Sequence, residues 1–275
     1  MVLLGLIIIN HLMIIKVDNL TKQFDGLKAV DGVSFGVAPG SIFAFLGPNG
    51  AGKSTTIKML VTLLKPTSGQ LEINGFDVLA APAQARRSFG VVFQDYSLDD
   101  ELTAYENMYF HALIYALPKA ERRAKIAKLL ELVNLTERQK SLVKDFSGGM
   151  KRRLEIARGL LHEPKVLFLD EPTLGLDPQT RNHIWAYIKN LNQQRQLTVF
   201  FTTHYMDEAQ RYADQIAIID RGQIVARGTP QDLQRQTDSD SLEQAFLKLT
   251  GYDLRDENIS AAERLRLLNQ RKWKK

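Results

Sequence analysis

Between residues 14 and 46, short β-branched or aromatic runs at 14–17, 29–37 and 42–46 are separated by Gly and Asp turns. Such alternation marks strands of a partly antiparallel sheet. The third run, Ile42-Phe-Ala-Phe-Leu46, is apolar throughout, as a strand covered on both faces must be. A helical period over 53–64 follows and stops at Lys65-Pro66-Thr-Ser-Gly69, a proline and glycine stop. Hairpin-like strands are expected around 71–73 and 90–93. From 98 to 161 the period becomes that of helices, over 105–116, 118–132 and 148–161, which reads as an inserted helical subdomain. Strands at 166–169, 198–201 and 216–219 then alternate with helices at 178–194 and 205–213, the pattern of a parallel, three-layer α/β core. Asp220-Arg-Gly222 turns the chain into a closing hairpin strand at 224–227. Beyond about 232, amphipathic stretches at 242–249 and 261–269 form a C-terminal appendage, residues 233–275.

Composition changes this picture little. The chain has 275 residues, 44% hydrophobic and 24% charged, enough to bury a full core. It has no cysteine, which excludes disulfides, thiolate metal sites and a cysteine nucleophile. The net charge of +5 is carried by residues 261–275, with six Lys/Arg against one Glu, so the body is balanced and no nucleic-acid partner is expected. The apolar start, residues 1–13, is broken by Asn10 and His11 and is shorter than the ~20 residues of a spanning helix. It lacks a basic region and a cleavage site, and the strand beginning at 14 suggests that translation starts at Met13.

The strongest chemical signal is the loop Gly47, Pro48, Asn49, Gly50, Ala51, Gly52, Lys53, Ser54, followed by Thr55. It fits GxxxxGK[ST] between an apolar strand and a helix, the context that motif needs. Its glycines let backbone N–H groups turn toward an anion, the helix N-terminus adds positive potential, Lys53 reaches the β- and γ-phosphates, and Ser54 ligates Mg²⁺. The run Lys165-Val-Leu-Phe-Leu-Asp170-Glu171 ends a buried strand in two acids. Asp170 can hold Mg²⁺ and Glu171 can polarise an attacking water. In Phe146-Ser-Gly-Gly-Met150, Ser147 is a plausible N-cap, and Gly148 and Gly149 admit an anion close to exposed N–H groups.

In their order and spacing, these motifs make residues 14–232 resemble the nucleotide-binding domain of ABC (ATP-binding cassette) transporters. The resemblance implies a P-loop NTPase core with a parallel sheet, an antiparallel β subdomain and an inserted helical subdomain at about 98–161. It implies ATP and Mg²⁺ as ligands and ATP hydrolysis as the activity. Two such domains would pair head to tail, as a homodimer or with a related subunit, so that the signature Ser147-Gly148-Gly149 of one covers the γ-phosphate held by the other. Gln94 resembles the glutamine that touches Mg²⁺ and the attacking water, Asp177 the aspartate that communicates across the dimer, and His204 the histidine that contacts the γ-phosphate. Phe24 resembles the aromatic residue that stacks on adenine; a packed core aromatic is the alternative. The remaining histidines match nothing and are expected to be structural or solvated.

The signature departs from the family's usual wording at Phe146 and Met150, where Leu and Gln are common; the backbone donors of 147–149 do not depend on those side chains. Its continuation, Lys151-Arg-Arg-Leu-Glu-Ile-Ala-Arg158, is similar to the exporter branch that includes daunorubicin-type and nodulation-type ATP-binding subunits. With no spanning segment, the chain would act through separate transmembrane permease subunits at the cytoplasmic face of the membrane. An ATPase of the DNA-repair or chromosome type would need a long coiled coil between phosphate loop and signature, and residues 55–146 hold no sustained heptads. An importer differs only in subfamily wording.

Overall fold

The computed structural model describes residues 13–251. The strands β1 (Ile15–Phe24), β2 (Leu27–Val37), β4 (Ser68–Ile73) and β5 (Phe76–Asp77) form an antiparallel sheet in the order β2-β1-β4-β5. Asp25 and Gly26, both at positive φ, make the tight turn between β1 and β2. A second sheet has the order β10-β9-β3-β8-β7-β6, from β3 (Ile42–Leu46), β6 (Phe89–Val92), β7 (Val166–Asp170), β8 (Thr198–Thr203), β9 (Gln215–Asp220) and β10 (Gln223–Gly228). All its pairings are parallel except β9 with the edge strand β10. Strand 89–92 is therefore a parallel edge of this sheet. It is not part of a hairpin, because its partner β7 lies across the helical insertion.

Period-2 alternation divides the core in two. In β3, Ile42, Ala44 and Leu46 join one cluster while Phe43 and Phe45 join the other. In β8, Val199 and Phe201 face the first and Phe200 the second. The second cluster lies between the two sheets, where Phe200 stacks on Phe43 and Phe35 with centroids 5.5 and 5.8 Å away. It also holds Ile57, Met59 and Leu60 of α1 (Lys53–Leu60). The first cluster gathers the remaining layer: α3 (Ala104–Ile114), α4 (Lys119–Leu132), α5 (Gly148–Gly159) and α6 (Pro178–Arg195). Helix α2 (Pro82–Ser88), which the sequence pattern did not suggest, fills the span before β6 and buries Ala85 in the second cluster.

Several boundaries differ from expectation. Helix α1 ends at Leu60, short of 64, because Thr62 takes a left-handed φ of 65° and the amides of Leu63 and Leu64 both return to the Lys58 carbonyl. The helix expected over 205–213 is the shorter α7 (Met206–Tyr212). A helix the sequence reading missed, α8 (Pro230–Gln236), starts at a capping box between Thr229 and Asp232 and crosses residue 232, burying Leu233 in the main cluster. Leu242 and Phe246 of α9 (Leu242–Thr250) pack there too. The N-terminal stretch before Met13, the expected helix over 261–269 and the basic tail lie outside the described residues.

Candidate active site

At the C-terminal ends of β3, β7 and β8, the chain encloses a cavity of about 420 Å³ lined by Asn49, Gly50, Gly52, Lys53, Ser54, Thr55, Gln94, Glu171 and His204 among others. Strand β3 delivers the phosphate loop and α1 leaves it. Gly52 holds φ 110°, and a Cβ there would come within 2.5 Å of the Ala29 carbonyl oxygen, so only glycine lets the loop close against β2. Lys53 is buried and donates to the carbonyls of Gly47 at 2.8 Å and Pro48 at 3.2 Å, and its Nζ stands 3.3 Å from Glu171 Oε1. Burial lowers the affinity of this ammonium for its proton, and Glu171 opposes that shift.

Strand β7 carries Asp170 and then Glu171, and both are buried. The Thr202 hydroxyl, one strand away on β8, donates to Asp170 Oδ1 at 2.5 Å, and Ser54 Oγ lies 3.4 Å from the same oxygen. Burial pushes the Asp170 carboxyl above its ordinary value, with the Thr202 and Ser54 hydroxyls pulling the other way. Glu171 occupies a left-handed backbone conformation, φ 48°, that a non-glycine residue keeps only when its surroundings enforce it. Here its amide donates to Thr202 Oγ1 at 3.0 Å. His204 Nδ1 lies 3.0 Å from Glu171 Oε2; since a carboxylate only accepts, Nδ1 carries the proton. Burial raises the Glu171 carboxyl, but the His204 bond and the Lys53 charge outweigh it and hold it below its ordinary range.

Lys53, Ser54, Gln94, Glu171 and His204 thus meet in one cavity, with Asp170 directly behind Ser54. The other candidates lie elsewhere. Ser147 caps α5, accepting from the Met150 amide at 3.3 Å, and with Gly149 it lines a separate cavity of about 450 Å³ beside Thr180 and Tyr187. Asp177 caps α6 through the Thr180 amide at 2.9 Å and hydroxyl at 2.6 Å. Phe24 ends β1 and is 45% exposed, outside both core clusters, with the Lys22 ammonium 5.0 Å from its ring centre. Two groups escaped the sequence reading. Thr202 could have been suspected as a polar residue ending an apolar strand. Arg152 gave no such signal, although its Nη2 donates to the Gln94 carbonyl at 2.8 Å and so holds the loop bearing that side chain.

The family model for ABC transporters matches residues 30–174, more than half of the chain. The chain belongs to the ABC transporter family. Among similar proteins of this ABC family, the linearmycin resistance ATP-binding protein LnrL of Bacillus subtilis is 42% identical over 83% of this chain and 73% of its own length. The daunorubicin/doxorubicin resistance ATP-binding protein DrrA of Streptomyces peucetius is 41% identical over 93% of this chain and 74% of its own. Among solved structures, the ATP-binding cassette MJ0796, dimeric in a post-hydrolysis state with ADP and Pi, superposes with a TM-score of 0.71. It is 29% identical and covers 78% of this chain and 98% of its own. The protein is accordingly an ATP-binding ABC-type ATPase, and its mixed α/β fold is that of an ABC ATPase domain. Among its described residues no helix is long and apolar enough to cross a membrane.

Proposed function

We propose that this chain powers export: as a head-to-tail dimer, or paired with a related subunit, it hydrolyses ATP while docked on separate transmembrane subunits at the cytoplasmic face of the membrane. The observation that carries the pairing is that Ser147 and Gly149 open a cavity distinct from the one holding Lys53, Glu171 and His204. A helix start with exposed amides is an anion site, so a second copy is needed to bring it to the phosphates. The resistance roles in the names of the LnrL and DrrA relatives support the outward direction, and the dimeric MJ0796 cassette supports the pairing.

The residues divide the work by position. The loop amides of 49–55 and Lys53 grip the phosphates, Lys53 exchanging its carbonyl contacts for phosphate oxygens. Ser54 and Gln94 in the cavity wall and Asp170 behind Ser54 offer a hydroxyl, an amide oxygen and a carboxylate, the hard oxygen donors that Mg²⁺ prefers. Bound there, Mg²⁺ would neutralise charge on the phosphate oxygens. Glu171 orients and polarises the water, and His204, fixed by its Nδ1 bond, presents Nε2 toward the γ-phosphate position. Phe24 stacks on the base from the end of β1, and Asp177 lies at the interface.

Mixing two inactive variants tests the pairing. A Lys53→Ala chain keeps an intact signature and a Ser147→Arg chain keeps an intact phosphate loop. Head-to-tail pairing predicts that the mixture regains up to a quarter of wild-type hydrolysis, since half of random pairs hold one intact composite site of two. A mixture no more active than its separate components refutes it.

A further inference from the structure

Outside the cavity, one buried carboxylate is bound to the segments that carry Glu171 and His204. Glu208, on α7, is 4% exposed. Its Oε1 accepts from the Thr173 hydroxyl at 2.6 Å and from Arg181 Nε at 3.2 Å, and its Oε2 lies 3.4 Å from the Thr203 hydroxyl. Thr173 is two residues past Glu171 and Thr203 immediately precedes His204. Arg181 sits in the first turn of α6, whose cap is Asp177. Thr173 and Thr203 are themselves 1% exposed, so neither hydroxyl has water as an alternative partner.

We propose that Glu208 is a positioning residue for hydrolysis, holding the Glu171 segment, the His204 segment and the start of α6 in one register through the Thr173, Thr203 and Arg181 contacts. The inference rests on Glu171 and His204 being the hydrolytic pair. Thr203 Oγ1 also accepts the Tyr205 amide at 2.9 Å, so the backbone on both sides of His204 is tied into the same network. The Arg181 guanidinium lies 4.2 Å from the Tyr205 ring centre, and that ring lies 4.1 Å from His204. Charge matters here as well as shape. A carboxylate can only accept, and the three side chains around it all donate, so a neutral amide of equal size would set its own N–H groups against them. Because Glu171 is held in a left-handed conformation, its side-chain direction depends on such restraints outside the cavity.

The test is steady-state hydrolysis and equilibrium binding of a fluorescent ATP analogue to the full chain. Glu208→Gln should lower kcat by about tenfold or more while the nucleotide Kd changes by less than about twofold, since misplacing reacting groups costs turnover and leaves phosphate grip intact. Thr173→Val, milder and with the Glu208–Arg181 pair kept, should move kcat in the same direction with the same unchanged Kd; it decides the matter if Glu208→Gln does not fold. Turnover within twofold of wild type in a folded variant overturns the proposal, as does equal loss in kcat and affinity, the mark of general structural damage. Glu171→Gln is run alongside: if it hydrolyses ATP at the wild-type rate, the hydrolytic assignment itself has failed, whatever the Glu208 variants do.

Discussion

Single residues differ in how openly they announced themselves. Lys53 and Ser54 were legible because the loop that holds them has a spacing set by phosphate geometry, and Asp170 and Glu171 because they follow four apolar residues of a buried strand. Buried ionisable groups outside these motifs were not, since a charge at a helical position looks the same in sequence whether it meets solvent or core. His111 illustrates this. It lies near the end of α3, with its ring 4.9 Å from Tyr115 and its Nε2 buried without a partner, while Tyr115 stacks on His162 at 3.8 Å. Burial, reinforced by the Arg158 charge and by His162, lowers its pKa from 6.5 to about 3. The folded state therefore refuses a proton that the unfolded chain accepts, so this contribution to stability is complete above pH 6.5 and is lost as pH falls toward about 3. In urea unfolding between pH 6 and 4, His111→Gln should show a shallower loss of stability with acid, by up to about 1.4 kcal/mol per pH unit. Identical slopes in the two proteins would rule out the histidine as a source.

Strands and helices were legible where burial marks the sequence, as in the unbroken apolar run of β3, and less so where tertiary contacts decide an end. The early stop of α1 at Thr62 has no glycine or proline to mark it. Helix α5 shows what an element can carry beyond its pattern. Arg152, 1% exposed, donates to the Phe93 and Gln94 carbonyls and to Glu155 Oε2, and Glu155 in turn accepts the Ser97 amide at 2.7 Å. Arg158 reaches the Ser97 carbonyl at 2.8 Å, and the Tyr96 hydroxyl the Gly148 carbonyl at 3.2 Å. Residues 93–97 are thus strapped along the helix whose first turn bears the signature. Arg152→Met should destabilise the protein by about 3 kcal/mol in denaturant titration, because a buried carboxylate loses the nearer of its two cations, 2.9 Å away, and keeps only Arg158 at 4.0 Å. Arg152→Met combined with Glu155→Leu should recover a large part of that loss, since the unpaired charge goes with its partner. A double variant as unstable as the single one would show that the strap to 93–97 outweighs the charge pairing.

For the whole molecule, the order of elements made the three-layer core legible, whereas the separation of the signature from the phosphate loop is a fact of three dimensions. The pairing inferred from it makes the rate depend on encounter. In detergent-free solution, specific activity per chain should rise with protein concentration and level off once pairs predominate; a specific activity constant over a hundredfold dilution would place complete sites within single chains. The contact between Lys53 and Glu171 then takes on a meaning of its own. In the free chain the two charges cancel at 3.3 Å, and the glutamate is held below its usual basicity. If Glu171 is the base proposed above, phosphate oxygens that draw the lysine away would leave it, its His204 bond still in place, with a stronger hold on a proton, and the arrival of the nucleotide would itself ready the group that acts on the water. On that assignment a subunit without nucleotide holds its base in check through the Lys53 contact.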